Sequence, residues 1–187
     1  MSAVPAEARD ILMPAVRRLQ EGGVESPALD SRLLLGTALG LDRAVLPHET
    51  LAGFDDAAAA MFEAFLNRRI GGEPVSRIRG WREFWTLRLE LAPATLDPRP
   101  DSETIVAAAL AATDPGKPCR MLDLGCGTGA LLLACLSERP DATGTGVDIA
   151  GEAVEAATRN AGKNGLSARA DFVIGDFSDP DVAPGIY

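Results

Sequence analysis

Gly125, Gly127 and Gly129 stand on alternate positions of "MLDLGCGTGALLLACL" (121–136), between a short apolar run and a longer one. Glycine lets the backbone turn through left-handed conformations and approach a ligand where a side chain would collide. A helix that begins directly after such a turn offers unpaired amide N–H groups. A strand, a glycine turn and a helix in that order make a seat for a bound small molecule, with Cys126 and Thr128 supplying the backbone between the glycines. The glycines do not by themselves say which molecule. "GCGTGA" also fits the loose G-x-G-x-x-A form of the dinucleotide fingerprint, and an acid follows about 20 residues on.

Three carboxylates narrow the choice. Asp123 precedes the first glycine at the end of the first strand. Its charge there opposes a pyrophosphate and favours the ammonium and sulfonium groups of S-adenosyl-L-methionine. Asp148 closes the second strand, where a carboxylate can accept hydrogen bonds from both ribose hydroxyls. Asp176 ends the third in "GDF", with Phe177 beside it to pack on an adenine ring. Each acid also has a plain structural role open to it. Asp123 can orient the turn through backbone amides, Asp148 can cap the helix starting near Gly151, and Asp176 can be an ordinary loop acid. Acids at three successive strand ends together favour a class I methyltransferase over a dehydrogenase.

The elements that must position these residues lie from Arg120 onward. "RMLDLG", "ATGTGVDI" and "ADFVIGD" read as strands, and "GALLLACLSERP" and "AGEAVEAATRNAGKNG" as helices between them. Apolar strands alternating with helices predict a parallel sheet with crossover helices, which binds ligands at the carboxyl ends of its strands. Upstream the period differs. "ARDILMPAVRRLQEGG", "SPALDSRLLLGTALG" and "DDAAAAMFEAFLNRRIGG" read as helices, two of them stopping at glycine pairs. Ser26 is expected as the N-cap of the second, whose Leu29, Leu33, Leu34 and Ala38 are expected to share a face.

Between these parts, "IRGWREFWTLRLELAP" alternates and predicts a hairpin. Its Arg77, Arg79, Arg82 and Arg88 beside Trp81, Phe84 and Trp85 suit either a protein or RNA partner, or a solvated hairpin whose aromatics cap the adjoining domain. Asp101 or Ser102 is expected to cap a helix from about Glu103. The expected organisation is α/β: a helical domain over 1–74, a connector over 75–100 and a sheet domain over 101–187.

Composition sets bounds on partners. Residues 101–187 carry a net charge of −7 against −2 for residues 1–100, a balance that repels a phosphate backbone, so no direct nucleic-acid binding is expected. Three cysteines without close pairing and a single distant histidine, His48, suggest neither a disulfide framework nor a metal site. No run is apolar enough for a membrane span and the N-terminus lacks the basic flank of a signal peptide, so a cytoplasmic location is expected.

At this point a resemblance can be stated. "LDLGCGTGALLLACL" with "GVDI" and "GDF", the upstream "DSRLLLGTALG", and above all "RRIGGEPVSRIRGWREFW" and "PRPDSE" resemble the HemK/PrmC family. Members methylate the side-chain amide nitrogen of the glutamine in the Gly-Gly-Gln loop of peptide chain release factors. The resemblance implies a helical domain that helps recognise the release factor and an incomplete Rossmann-like domain that binds S-adenosyl-L-methionine. Gly125, Cys126, Gly127, Thr128 and Gly129 would line its methionine part, Asp148 would hold the ribose, and Asp176 with Phe177 would border the adenine. Arg99 and Pro100 either shape the cleft near the donor or form a structural turn.

One departure stands against these matches. The family grips the substrate amide with an Asn-Pro-Pro-Tyr motif that the 187 residues do not contain. The resemblance therefore implies a C-terminally truncated member with no catalytic residue of its own, expected to be inactive unless the missing part is supplied. A non-catalytic release-factor-binding module, a ribosomal protein glutamine methyltransferase and a nucleotide-dependent oxidoreductase remain as alternatives.

Overall fold

The computed structural model describes residues 6–176. They fall into two compact units that divide between Arg79 and Gly80.

The first unit holds helices α1 (Ala8–Glu21), α2 (Pro27–Ala38), α3 (Asp56–Ile70) and α4 (Val75–Arg79), with a two-residue antiparallel pair, β1 (Ala6–Glu7) and β2 (Thr50–Leu51). Ala8, Leu12, Ala15 and Leu19 recur along one stripe of α1 and are buried against Leu34, Leu35, Phe62 and Leu66. α3 starts on a side-chain cap: the Asp55 carboxylate accepts the Ala58 N–H at 2.9 Å.

α2 departs from expectation twice. Its N-terminal Ser26 makes no side-chain cap to the amides of the first turn. Its inner face is Asp30, Ser31, Leu34 and Leu35, while Leu29 is 51% exposed. The face rotates because Asp30 is drawn inward by Arg69 of α3, whose Nε lies 2.8 Å from the carboxylate. Gly36 fixes the same orientation, since a Cβ there would stand 2.1 Å from the Arg43 carbonyl oxygen. A hollow of about 730 Å³ lies along α1 and α2, lined by Met13, Val16, Ser31 and His48 among others, and holds none of the residues with site chemistry.

The second unit begins with the expected hairpin, β3 (Trp81–Phe84) and β4 (Leu87–Glu90); the segment just before it is helical, in α4. Trp85 in the turn has φ +56, the only left-handed residue other than glycine among those described. Two glutamates hold it there: Glu103 accepts its backbone N–H at 3.0 Å and Glu138 its indole N–H at 2.8 Å. Phe84, Leu87 and Leu89 are buried with Val106, Leu133 and Leu136, and Trp85 packs against that cluster. These aromatics therefore cap a core. The guanidinium of Arg88 stacks 3.9 Å from the Trp81 ring centroid, and Arg82 pairs with Asp97 at 3.3 Å.

A 3₁₀ turn (Pro100–Ser102) leads into α5 (Glu103–Ala111). Neither Asp101 nor Ser102 caps it through its side chain; the Thr104 hydroxyl donates instead to the Asp101 carbonyl at 2.6 Å. The three remaining strands, β5 (Arg120–Leu124), β6 (Thr143–Asp148) and β7 (Ala170–Ile174), are parallel in the order β5-β6-β7. Helices α6 (Ala130–Glu138) and α7 (Gly151–Lys163) make the crossovers. This is the α/β arrangement of an incomplete Rossmann-like sheet. Gly146 in β6 is required by packing, because a Cβ there would come within 2.5 Å of the Phe172 ring.

Candidate functional site

The glycine turn joins the carboxyl end of β5 to the start of α6. Gly125 and Cys126 both donate their N–H groups to the Val147 carbonyl, at 2.8 and 3.0 Å, so the turn hooks back over β6. Gly125, Gly127 and Gly129 have φ of +76, +55 and +77. They serve two purposes. A Cβ on Gly125 or Gly127 would meet nothing within 4 Å, so both present bare backbone to open space. A Cβ on Gly129 would meet Phe172 at 3.0 Å and Ala157 and Leu133 at 3.2 Å, so this third glycine lets α6 pack down on the sheet.

Gly125, Cys126, Gly127, Thr128 and Asp148 line one hollow of about 210 Å³, together with Phe84 and Thr95. Asp148 is tied on both oxygens. Oδ2 accepts the Gly127 N–H at 2.8 Å and Oδ1 accepts the Ala150 N–H at 3.0 Å. The bond to Ala150 closes a local turn ahead of α7 and does not cap the helix, which has no side-chain cap. Each carboxylate oxygen has a second lone pair, so acceptor capacity remains for a ligand hydroxyl.

Asp123 is placed apart from that hollow. It opens onto a neighbouring one of about 290 Å³ with Met121, Leu122 and Leu132, and Leu131 lines both. Its Oδ2 is buried without a hydrogen-bond partner. Burial raises the pKa of this carboxyl; the Leu132 N–H acts in the opposite direction and the nearby Asp148 charge adds to the rise. The Cys126 thiol is pushed up to about 12, by burial first and by the charges of Asp123 and Asp148 second. A thiol so placed stays protonated near neutral pH and is a poor nucleophile. Among the described residues no cluster of three or more histidines, cysteines or acids could hold a metal.

Asp176 is exposed two residues beyond β7, in a segment held toward the site by a 3.0 Å hydrogen bond from Gly175 N–H to the Asp148 carbonyl. Phe177 lies outside the described residues. Arg99 is exposed ahead of the 3₁₀ turn, and Pro98 and Ser102 reach the hollow where Arg99 and Pro100 do not.

The residue that sequence reasoning missed is Asn160. It is fully buried on α7 and makes three hydrogen bonds: Oδ1 accepts Glu90 N–H at 2.7 Å, and Nδ2 donates to the carbonyls of Glu90 at 3.1 Å and Thr128 at 3.0 Å. Its signal is an amide on the otherwise apolar face formed by Ala153, Val154, Ala157 and Ala161.

Comparison with known proteins agrees in both halves. A family model described as the PrmC N-terminal domain matches residues 10–80, and one described as a methyltransferase domain matches residues 115–184. The release factor glutamine methyltransferase of Rhodospirillum rubrum is 45% identical over 96% of this chain and 57% of its own length. That of Escherichia coli K12 is 45% identical over 80% of this chain and 53% of its own length. The chain thus spans a little over half the length of the curated relatives it matches. A solved SAM-dependent methyltransferase from Geobacter sulfurreducens, in complex with S-adenosyl-L-homocysteine, is 31% identical over 42% of this chain and 30% of its own, with a TM-score of 0.35; so small an overlap adds nothing to the fold. The chain thus joins a PrmC N-terminal domain to a methyltransferase domain, in the order in which it aligns with the release factor glutamine methyltransferases it resembles.

Proposed function

We propose that this chain is the release-factor-docking and donor-binding part of an S-adenosyl-L-methionine-dependent methyltransferase. The protein it represents transfers a methyl group to the amide nitrogen of the glutamine in the Gly-Gly-Gln loop of peptide chain release factors. One observation carries the donor half. The Gly127 N–H is fastened to Asp148 at 2.8 Å, so the glycine turn is held open against a carboxylate with acceptor capacity to spare. Nearby, the buried Asp123 oxygen lacks a partner, a costly state that a cationic group would relieve.

In this assignment Gly125 and Gly127 give close backbone approach, with Cys126 and Thr128 between them, and Gly129 sets the helix behind. Asp148 takes the ribose hydroxyls, Asp123 acts on the positive charge through space from the neighbouring hollow, and Asp176 and Phe177 border the base. When bound, the donor supplies a methyl group made electrophilic by its sulfonium. An amide nitrogen is a poor nucleophile because its lone pair is delocalised, so positioning it in line with that methyl is the main catalytic task. The helical unit up to Arg79 docks the release factor, and the unit from Gly80 onward, hairpin included, holds the donor.

Thermal melts test the donor class. S-adenosyl-L-homocysteine should raise the melting temperature of the chain and nicotinamide dinucleotide should not; the reverse would favour an oxidoreductase. Docking is tested by passing a purified release factor over immobilised chain. Failure to retain it would remove the acceptor assignment and leave the donor assignment standing.

A further inference from the structure

The outer edge of β4 has no neighbouring strand among the described residues, yet its backbone is not left to water. Side chains of α7 take the place of a strand. Asn160 pairs with both the N–H and the carbonyl of Glu90, as a peptide group would, and Asn164 Nδ2 donates to the Arg88 carbonyl at 3.0 Å. Lys163 and Arg159 pair with the Glu90 carboxylate. Of these residues only Asn160 reaches further, to the Thr128 carbonyl inside the glycine turn.

We propose that Asn160 is a positioning residue that couples occupancy of the glycine-turn hollow to the placement of the β3–β4 hairpin. The coupling rests on the assignment of that hollow to the donor. Thr128 lies between Gly127, which is bonded to Asp148, and Gly129, which is packed under Phe172, so a ligand that orders this turn also fixes the carbonyl that Asn160 holds. The amide cannot follow the turn without pulling on Glu90, because it is fully buried and its other bonds end there. Phe84 of the same hairpin also lines the hollow, so a shift of the hairpin changes the surface that the ligand meets. A buried amide bonded at three points has no slack in which the two segments could move independently.

Amide hydrogen exchange on the 187-residue chain, with and without saturating S-adenosyl-L-homocysteine, tests this. In the wild type the ligand should slow exchange both in residues 125–129 and at Glu90. In Asn160→Ala the ligand should still protect the turn, with affinity weakened about tenfold, and should no longer protect Glu90. Asn164→Ala, which loses a bond to the hairpin but none to the turn, should keep both responses. Equal protection of Glu90 in wild type and Asn160→Ala would overturn the coupling. If Asn160→Ala fails to fold, the wild type still decides: protection of the turn without Glu90 refutes the coupling and spares the donor assignment. Protection of neither removes both.

Discussion

The division of labour among the three glycines yields a quantitative contrast. Alanine at position 127 keeps a left-handed φ of +55 at a cost of about 1 kcal/mol and meets no neighbouring atom. Alanine at 129 bears a similar strain at φ +77 and also forces a methyl to within 3.0 Å of Phe172 and 3.2 Å of Ala157 and Leu133. Overpacking of that kind adds about 1–3 kcal/mol. For a domain near 100 residues, 1 kcal/mol corresponds to about 4–8 °C in melting temperature. Gly127→Ala should therefore melt about 5 °C below the wild type, and Gly129→Ala about 10–20 °C below it. Binding should rank the other way. The new methyl of Gly127→Ala stands where the turn opens to a ligand, so S-adenosyl-L-homocysteine should bind at least about tenfold more weakly, or about 1.4 kcal/mol. Gly129→Ala, assayed well below its melting temperature, should lose less affinity. Differential scanning calorimetry and titration calorimetry on the same samples supply both numbers. Wild-type affinity in Gly127→Ala, or a lower melting temperature for Gly127→Ala than for Gly129→Ala, would refute the assignment of roles.

Other perturbations follow from the same geometry. The raised pKa of Asp123 means that its ionisation removes stability as pH rises from the ordinary carboxylate value through the raised one. Asp123→Asn should accordingly be more stable than wild type near pH 7, by about 1 kcal/mol, and should lose that advantage in acid. The same variant should bind the donor more weakly, so urea melts at two pH values and one binding isotherm test both sides; an advantage that grows in acid would contradict the assignment. In the native chain a disulfide reagent should label Cys119, which is half-buried, well before the buried Cys126 and Cys135, which should react only on unfolding. In the helical unit, Arg69→Ala would leave Asp30 buried without its cation and should cost about 3 kcal/mol, read from denaturant unfolding.

What the sequence discloses depends on how local the cause is. The glycine turn, the three strands and their crossover helices are set by near neighbours, and "MLDLGCGTGALLLACL", "ATGTGVDI", "AGEAVEAATRNAGKNG" and "ADFVIGD" carry them directly. The inner face of α2 is set by Arg69, 39 residues from Asp30, and by the Arg43 carbonyl over Gly36; leucines at 29, 33, 34 and 35 leave the local period ambiguous. The fate of the arginines and aromatics around the hairpin likewise depended on Val106 and Leu133 being present to bury Phe84. Asn160 stands out only as an amide on an apolar face, and what it holds is not legible because its partners are 70 and 32 residues away. Asp123 and the glycine turn are adjacent in sequence yet line different hollows, a separation imposed by Leu131 at the first turn of α6.

The donor assignment is tested most directly by titrating S-adenosyl-L-methionine into the purified 187-residue chain, with circular dichroism on the same sample to establish that it is folded. Folded chain binding with a micromolar Kd, about −8 kcal/mol, is the predicted result. Folded chain with no detectable binding would contradict it, and would mean that the turn fastened to Asp148 does not by itself form a donor site.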